Sequence, residues 1–385
     1  MAISNKHNFT NWVDGMKIHK KHFIDSENAL IEYIKESNTF YLNKYNYGLL
    51  KPITGVNKKA IEIRILKSQT NNFKIGISLC RAITQGGLTI DIIPEFHDEV
   101  IYENNLDSDV SIGIKNGNGQ AYFVVIFVNP FNRVPYGNPS AEEKPLRNPF
   151  AKPDYKVTII PEQNVNLPDF KDFYFPVARL VPKTGNELVL DDTYIPPCAV
   201  IQGHPALISV YNNIIEKLNL IQQYSDMTIQ KILSKSQNFP LAQNINKLCL
   251  KSTEYIGSVF FDVVNIIPFQ PPIFIVRTIV HLASFVNNAL RMIPEKEKDE
   301  MLQYFKEWNN ITPSEFEAML SQVIDLGYDH TQLYKTLAPI NVFINKWAEI
   351  LQKLSENEIG KKKNTADIMI GQKYEEKKKG FSLLD

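Results

Sequence analysis

The spacing of apolar residues changes once along this chain, near residue 200, and that change divides what it can fold into. Before it, apolar and polar residues alternate. Ile61, Ile63 and Ile65 are separated by Glu62 and Arg64, and Phe73, Ile75, Ile77 and Leu79 by Lys74, Gly76 and Ser78. A period of two sets one face on a core and the other in water, as a strand does. Leu88, Ile90 and Ile92 continue the pattern, and residues 122–128, apolar on both faces, read as a central strand. Asn116-Gly117-Asn118-Gly119 reads as a hairpin turn, because Asn-Gly tolerates positive φ at both central positions. After residue 200, Leu207, Val210, Tyr211, Ile214, Ile215, Leu218 and Ile221 recur at the helical period. Further helices are expected over 226–235, 241–264, 272–291, 296–309, 313–326 and 331–357. The fold class is therefore α+β: an N-terminal antiparallel β-sandwich over 1–200, then an all-α bundle over 201–357, then a charged flexible tail over 358–385.

Three local features refine this outline. Asp25 can cap an amphipathic helix in which Leu30, Ile31 and Ile34 form the apolar stripe and Glu27, Glu32, Lys35 and Glu36 the polar one. The run from Asn129 to Tyr155 carries Pro130, Pro135, Pro139, Pro145, Pro149 and Pro153, and is expected to be a loop that is neither helix nor central strand. Thr312-Pro313-Ser314-Glu315 has the capping-box order, with proline at the first helical position. In the last helix Leu333, Leu337, Ile340, Ile344, Trp347, Leu351 and Leu354 are spaced 4, 3, 4, 3, 4, 3. Such a heptad seam serves either inside an intrachain bundle or between copies around an axis.

Charge narrows the partners. Lys+Arg and Asp+Glu are both 42, so the chain has no net field to draw in a nucleic-acid backbone, and no nucleic acid is expected. The stretch over 273–286 contains Arg277, Thr278 and His281 and is shorter than a membrane span, so it reads as a buried helix. The first fifteen residues have no apolar core region and no small-residue cleavage site, which makes the cytoplasm the expected compartment.

The search for chemistry returns no catalytic residue. No nucleophile elbow, phosphate-binding loop, zinc-protease motif or dinucleotide fingerprint is present. His19 and His22 stand three apart without a third ligand nearby, so no metal and no cofactor is expected. Asp329-His330 reads as a helix-start cap rather than a catalytic dyad. Cys80, Cys198 and Cys249 form no paired motif and read as small buried hydrophobes. The chain is not expected to be an enzyme.

Four segments, in order, resemble one family. Trp12-Val13-Asp14-Gly15-Met16 followed by His22-Phe23 is similar to the opening of TssK, a trimeric baseplate subunit of bacterial type VI secretion systems, although Lys20-Lys21 replaces the family's Pro-Gln pair. The proline-rich run from Asn129 to Gly137 with Arg147-Asn148-Pro149, then Asp192-Thr193-Tyr194-Ile195-Pro196-Pro197, then Gly327-Tyr328-Asp329-His330, complete the resemblance. It implies that the sandwich is a "shoulder" binding wedge subunits of the TssF and TssG kind. It implies that the bundle is a "neck" that forms a homotrimer, and that the protein sits in a baseplate at the cytoplasmic face of the inner membrane. The family's C-terminal head has no counterpart in the residues after the last helix, so the envelope partner is of another kind.

On this reading Trp12, Gly15, Met16, His22 and Phe23, with Arg133 and Tyr136, are the candidate partner contacts. Trp12, Met16 and Phe23 are large anchors that either meet a partner or dock onto the shoulder's own core. Leu333, Leu337, Ile340, Ile344, Trp347, Leu351 and Leu354 are the candidate trimer contacts. A phage-like trimeric receptor-binding or adhesin protein is the alternative, since a sandwich on a helical stalk serves there too.

Overall fold

The computed structural model describes residues 7–53, 59–67, 73–94, 100–103, 120–164, 170–183 and 187–360. The Asn116–Gly119 turn and residues 361–385 lie outside them. Helix α1 (Lys20–Thr39) precedes five strands: β1 (Gly48–Leu49), β2 (Ile61–Lys67), β3 (Phe73–Ile83), β4 (Thr89–Ile92) and β5 (Val100–Glu103). β3 is the spine of this sheet. β2 and then β1 pair along one edge, β5 and β4 along the other, all antiparallel. A second antiparallel sheet follows, made of β6 (Tyr122–Tyr136), β7 (Phe150–Pro161), β8 (Tyr174–Lys183) and β9 (Glu187–Leu190) in the order β7-β6-β8-β9. The short α2 (Phe170–Phe173) leads into β8.

The alternation read from the sequence packs as expected. Ile75, Ile77, Ile90 and Ile92 of the first sheet share one core with Val124, Ile126, Val157, Ile159, Phe175 and Val177 of the second. The residues of β6 that point the other way are buried too. Phe123 and Val125 are covered by Tyr194, Tyr174 and Tyr334. A strand flanked by two others and covered on both faces has no polar face to show.

The proline-rich run departs from expectation. Its first part, through Tyr136, is the continuation of β6, and its last part is the start of β7. Pro130 falls in a bulge between Asn129 and Arg133, where the ladder skips. There Asn129 Oδ1 accepts hydrogen bonds from the N–H of Phe131 and Asn132, at 3.1 and 3.3 Å. Pro153 lies on β7, the edge strand of this sheet, where a proline is tolerated. Past the bulge, β6 pairs β7 alone, so the hairpin projects beyond the sheet.

Six helices follow: α3 (Pro205–Ser234), α4 (Pro240–Asn265), α5 (Ile273–Arg291), α6 (Glu295–Asn309), α7 (Pro313–Ile324) and α8 (Leu333–Glu356). The segment expected as a separate helix at 226–235 is the end of the 30-residue α3. The capping box forms at α7: Thr312 Oγ1 accepts from the Glu315 N–H at 3.2 Å, and Glu315 Oε2 accepts from the Thr312 N–H at 2.8 Å. By length and composition α5 is apolar enough to cross a membrane, but Ile275, Ile279, Leu282 and Val286 are buried inside the bundle.

The seam on α8 is also buried within the one chain. Leu333, Leu337, Ile340, Ile344, Trp347, Leu351 and Leu354 are each at most 2% exposed. Trp347 stacks near Phe316, with centroids 5.9 Å apart, and its indole N–H reaches Ser252 Oγ at 3.3 Å. These seven residues therefore do not face a sister chain. α8 is the central helix of its own bundle, and its heptad is spent on α3 and the other helices packed around it. Nor is the tail loose at its start. Ile359 is buried, Tyr304 donates to the Glu358 carbonyl at 3.2 Å, and Lys235 pairs with Glu358 at 2.6 Å.

Candidate partner-binding surface

Helix α1 is mounted inside out. It begins at Lys20 with His19 as N-cap, not after Asp25. The residues it buries are Asn28, Ala29 and Glu32, from the side expected to be polar. Leu30 and Ile34, from the side expected to face the core, are at least half exposed. Polar contacts hold the inner side. Arg133, at the β6 bulge, pairs with Glu27 and donates to Asn28 Oδ1 at 2.9 Å. Lys35 lies 3.9 Å from both Glu32 and Asp172 and over the Phe173 ring. Asn38 donates to the Gly87 carbonyl at 2.9 Å. Gly87 is required there: at φ +86° its absent Cβ would stand 2.6 Å from the Lys35 carbonyl oxygen.

The segment before α1 extends the outward face. Thr10 Oγ1 donates to the His22 carbonyl at 3.0 Å and accepts from Ser26 Oγ at 3.0 Å, which tacks the arm along the helix. Gly15 turns the chain at φ +76°. Trp12 then lies 6.1 Å from Phe23 and 6.0 Å, edge-on, from His22. Phe9, Trp12, Val13, Ile18, Phe23, Leu30, Tyr33 and Ile34 are all at least half exposed, and Phe40 and Tyr41 more than four-fifths. Burying one such side chain is worth about 1.5–3 kcal/mol, so a group of this size exposes many kcal/mol of unused stabilisation.

The predicted contacts divide on this geometry. Trp12, Gly15 and Phe23 lie on the outward face, which removes the option that Trp12 and Phe23 dock onto the sandwich core. Met16 is half-buried, and His22 serves the helix start, its Nδ1 accepting from the His19 N–H at 3.2 Å. Arg133 and Tyr136 do not join the surface. Arg133 is spent on seating α1, and Tyr136 packs under Lys152, 4.9 Å from its ring. Phe9, Leu30, Ile34, Phe40 and Tyr41 were not expected there. The aromatic pair Phe40-Tyr41 just past the helix end was the available signal.

The remaining polar candidates are structural. The His330 ring is buried, its Nε2 2.8 Å from the Tyr47 carbonyl and its Nδ1 2.7 Å from the Tyr328 hydroxyl. Asp329 caps the following turn through the Thr331 N–H and hydroxyl. Among the described residues no three His, Cys, Asp or Glu side chains come together as metal ligands. All three cysteines are buried, and burial pushes the Cys249 thiol up to about 12.

Residues 171–359 match the family described as "Bacterial Type VI secretion, VC_A0110, EvfL, ImpJ, VasE". The fold is similar to that of a solved structure described as "Crystal structure of TssK", at 16% identity and a TM-score of 0.55, over 89% of this chain and 69% of that one. It is similar also to a chain of "The baseplate complex from the type VI secretion system", at 15% identity and a TM-score of 0.51, over 89% of this chain and 99% of that one. No curated protein matches the sequence. The chain is thus TssK-like: residues 171–359 match the model of the type VI secretion family, and the fold is similar to that of TssK.

Proposed function

We propose that this protein is a structural subunit of a type VI secretion baseplate, a non-enzymatic trimeric adaptor located on the cytoplasmic side. Its shoulder, residues 1–200, takes hold of wedge proteins of the TssF and TssG kind. Its neck, residues 201–357, carries three shoulders on one axis, and the assembly meets an envelope component. The observation that carries this reading is the outward apolar face of the N-terminal arm and α1. A helix seated by its polar side gains no stability from its own apolar stripe, so that stripe is left for another protein. The match of residues 171–359 to the type VI family and the likeness to a chain of a baseplate complex support the class of partner.

Co-expression with the wedge proteins encoded beside it tests the reading. Trp12→Ala and the pair Leu30→Glu with Ile34→Glu are expected to reduce co-purification at least tenfold while leaving the melting temperature in place, because these side chains are already exposed. Undiminished capture by both variants overturns the assignment of this face.

A further inference from the structure

Between α7 and the exposed side of α8 lies a groove of about 560 Å³. Ligand pockets span roughly 300–1,000 Å³, so a group of side chains fits in it. α7 supplies Ala318 and Met319, α8 supplies Val342, Lys346 and Glu349, and Ile311 lies before α7. Ile311 and Met319 are buried and form the floor, whereas Val342 is 61% exposed. Valine is a weak helix former, so an exposed valine inside a 24-residue helix gains nothing locally. The cation at the rim is already engaged. Lys346 donates to the Asn309 carbonyl, at the end of α6, at 3.1 Å and pairs with Glu349 at 2.9 Å.

We propose that the chain fills this groove itself, with Ile368-Met369-Ile370 of the segment that follows Gly360. Reach, chemistry and charge choose this occupant. Tyr304 meets Glu358, just before Gly360, and five residues further along α6 Asn309 meets Lys346 at the groove. At 1.5 Å per residue that interval is about 8 Å. The stretch 361–367 extends to roughly 23 Å, which spans it with slack to pass around the helix. Ile368, Met369 and Ile370 are the first large apolar residues after Ile359, and the floor they meet is apolar. The rim sets Glu315 and Glu349 against Lys346, while the approach sets Lys361, Lys362 and Lys363 against Asp367. The later apolar group, Phe381 with Leu383 and Leu384, hangs on a tether nearly three times as long, which lowers its effective concentration roughly five-fold. A separate protein fits less well, because the groove takes a few side chains and a stable interface engages roughly 20–30 residues a side. Seated this way, the segment covers the α7–α8 groove, and the lysines at 377–379 leave from the side of the bundle rather than from the end of α8. The inference does not depend on the adaptor reading.

The full chain is suited to the test, because its three cysteines are buried and a thiol reagent reaches Val342→Cys first. Labelling of Val342→Cys is expected to speed up at least fivefold when Ile368→Asp, Met369→Asp and Ile370→Asp are added. It is expected to stay slow when Phe381→Asp and Leu384→Asp are added instead. Mild oxidation of Val342→Cys with Met369→Cys is expected to close a disulfide within one chain, seen as a faster band at the single-chain mass. Equal labelling rates in all three proteins, with no disulfide in the double variant, overturn the inference. Protection that fades on dilution and ignores the tail substitutions overturns it in favour of a second copy. Protection that arises only with a co-expressed protein overturns it in favour of that protein. Capture by the N-terminal arm is read separately, through Trp12→Ala, and none of these outcomes alters it.

Discussion

His330 is fixed by the two atoms its ring touches. A backbone carbonyl only accepts, so Nε2 must carry the proton it gives to Tyr47, and neutral Nδ1 must then accept from the Tyr328 hydroxyl. A charged imidazolium would have to reverse the second bond, its Nδ1–H donating to the Tyr328 oxygen. Burial pushes the ring down to about 4, against the partial opposing effect of the backbone contact and of Asp329. In the unfolded chain a histidine titrates near 6.5. Between about pH 6.5 and 4 the unfolded state therefore binds a proton that the folded state refuses, so stability rises with pH across that window and levels off above it. The separation of the two values caps the effect at about 3 kcal/mol. His204, which caps α3 through Nδ1 and is likewise pushed down to about 4 by burial, acts with the same sign. Denaturant unfolding at pH 7.5 and pH 5 is expected to show this loss, and His330→Gln is expected to reduce it. An equal loss in the variant would place the acid sensitivity elsewhere. The Asp329-His330 pair stands out in the sequence as a polar helix start. Its partner Tyr47 lies 283 residues away, at a distance no local pattern encodes.

Helix α1 shows what a hydrophobic period does and does not carry. The stripe Leu30–Ile34 is legible, but a stripe facing a core and one facing solvent have the same spacing. The side was decided by long-range polar groups. Arg133 reaches Glu27 and Asn28 across more than a hundred residues, and Asp172 reaches Lys35. Ion pairs this accessible are worth roughly 0–1 kcal/mol each, so the helix is seated weakly. Arg133→Ala is expected to raise amide exchange across α1 while leaving β6 and β7 protected. Unchanged exchange in α1 would show that Gly87 and Asn38 suffice to hold it. The α8 seam is the complementary case. Its spacing is as regular as that of a coiled coil, and it turned out to be core because α3 to α7 leave no route for water to it. Trp347→Ala is accordingly expected to cost about 3–5 kcal/mol of stability, measurable in the single chain, whereas a residue used only between copies would show no such loss. The prolines of β6 and β7 misled for a related reason: composition reports the missing donor, while only the fold shows that Pro130 falls in a bulge and Pro153 on an edge strand.

At the scale of the whole chain, the shift of period near residue 200 marks a change of architecture but not a break in packing. Buried residues run without interruption from Ile77 through Leu49, Ile195, Cys198, Ile201 and Leu207 into the bundle. The backbone is equally close there. Leu49 pairs with Cys198, its N–H donates to the Pro197 carbonyl at 2.8 Å, and the Ile201 N–H donates to the Gln270 carbonyl at 3.0 Å. Gly48, at φ +112°, admits Pro197 so tightly that a Cβ would stand 2.1 Å from its carbonyl oxygen. A change of period is visible in a sequence; a shared core across it is not, because the residues that join the halves are few and far apart. If the join is as strong as this packing implies, sandwich and bundle must unfold together. The three cysteines report on it, since Cys80 lies in β3, Cys198 at the join and Cys249 in α4, each fully buried. Pulsed thiol labelling along a denaturant series is expected to expose all three at one midpoint. Exposure of Cys80 at a lower concentration than Cys249 would mean that the shoulder opens on its own and that the join is weaker than its contacts suggest.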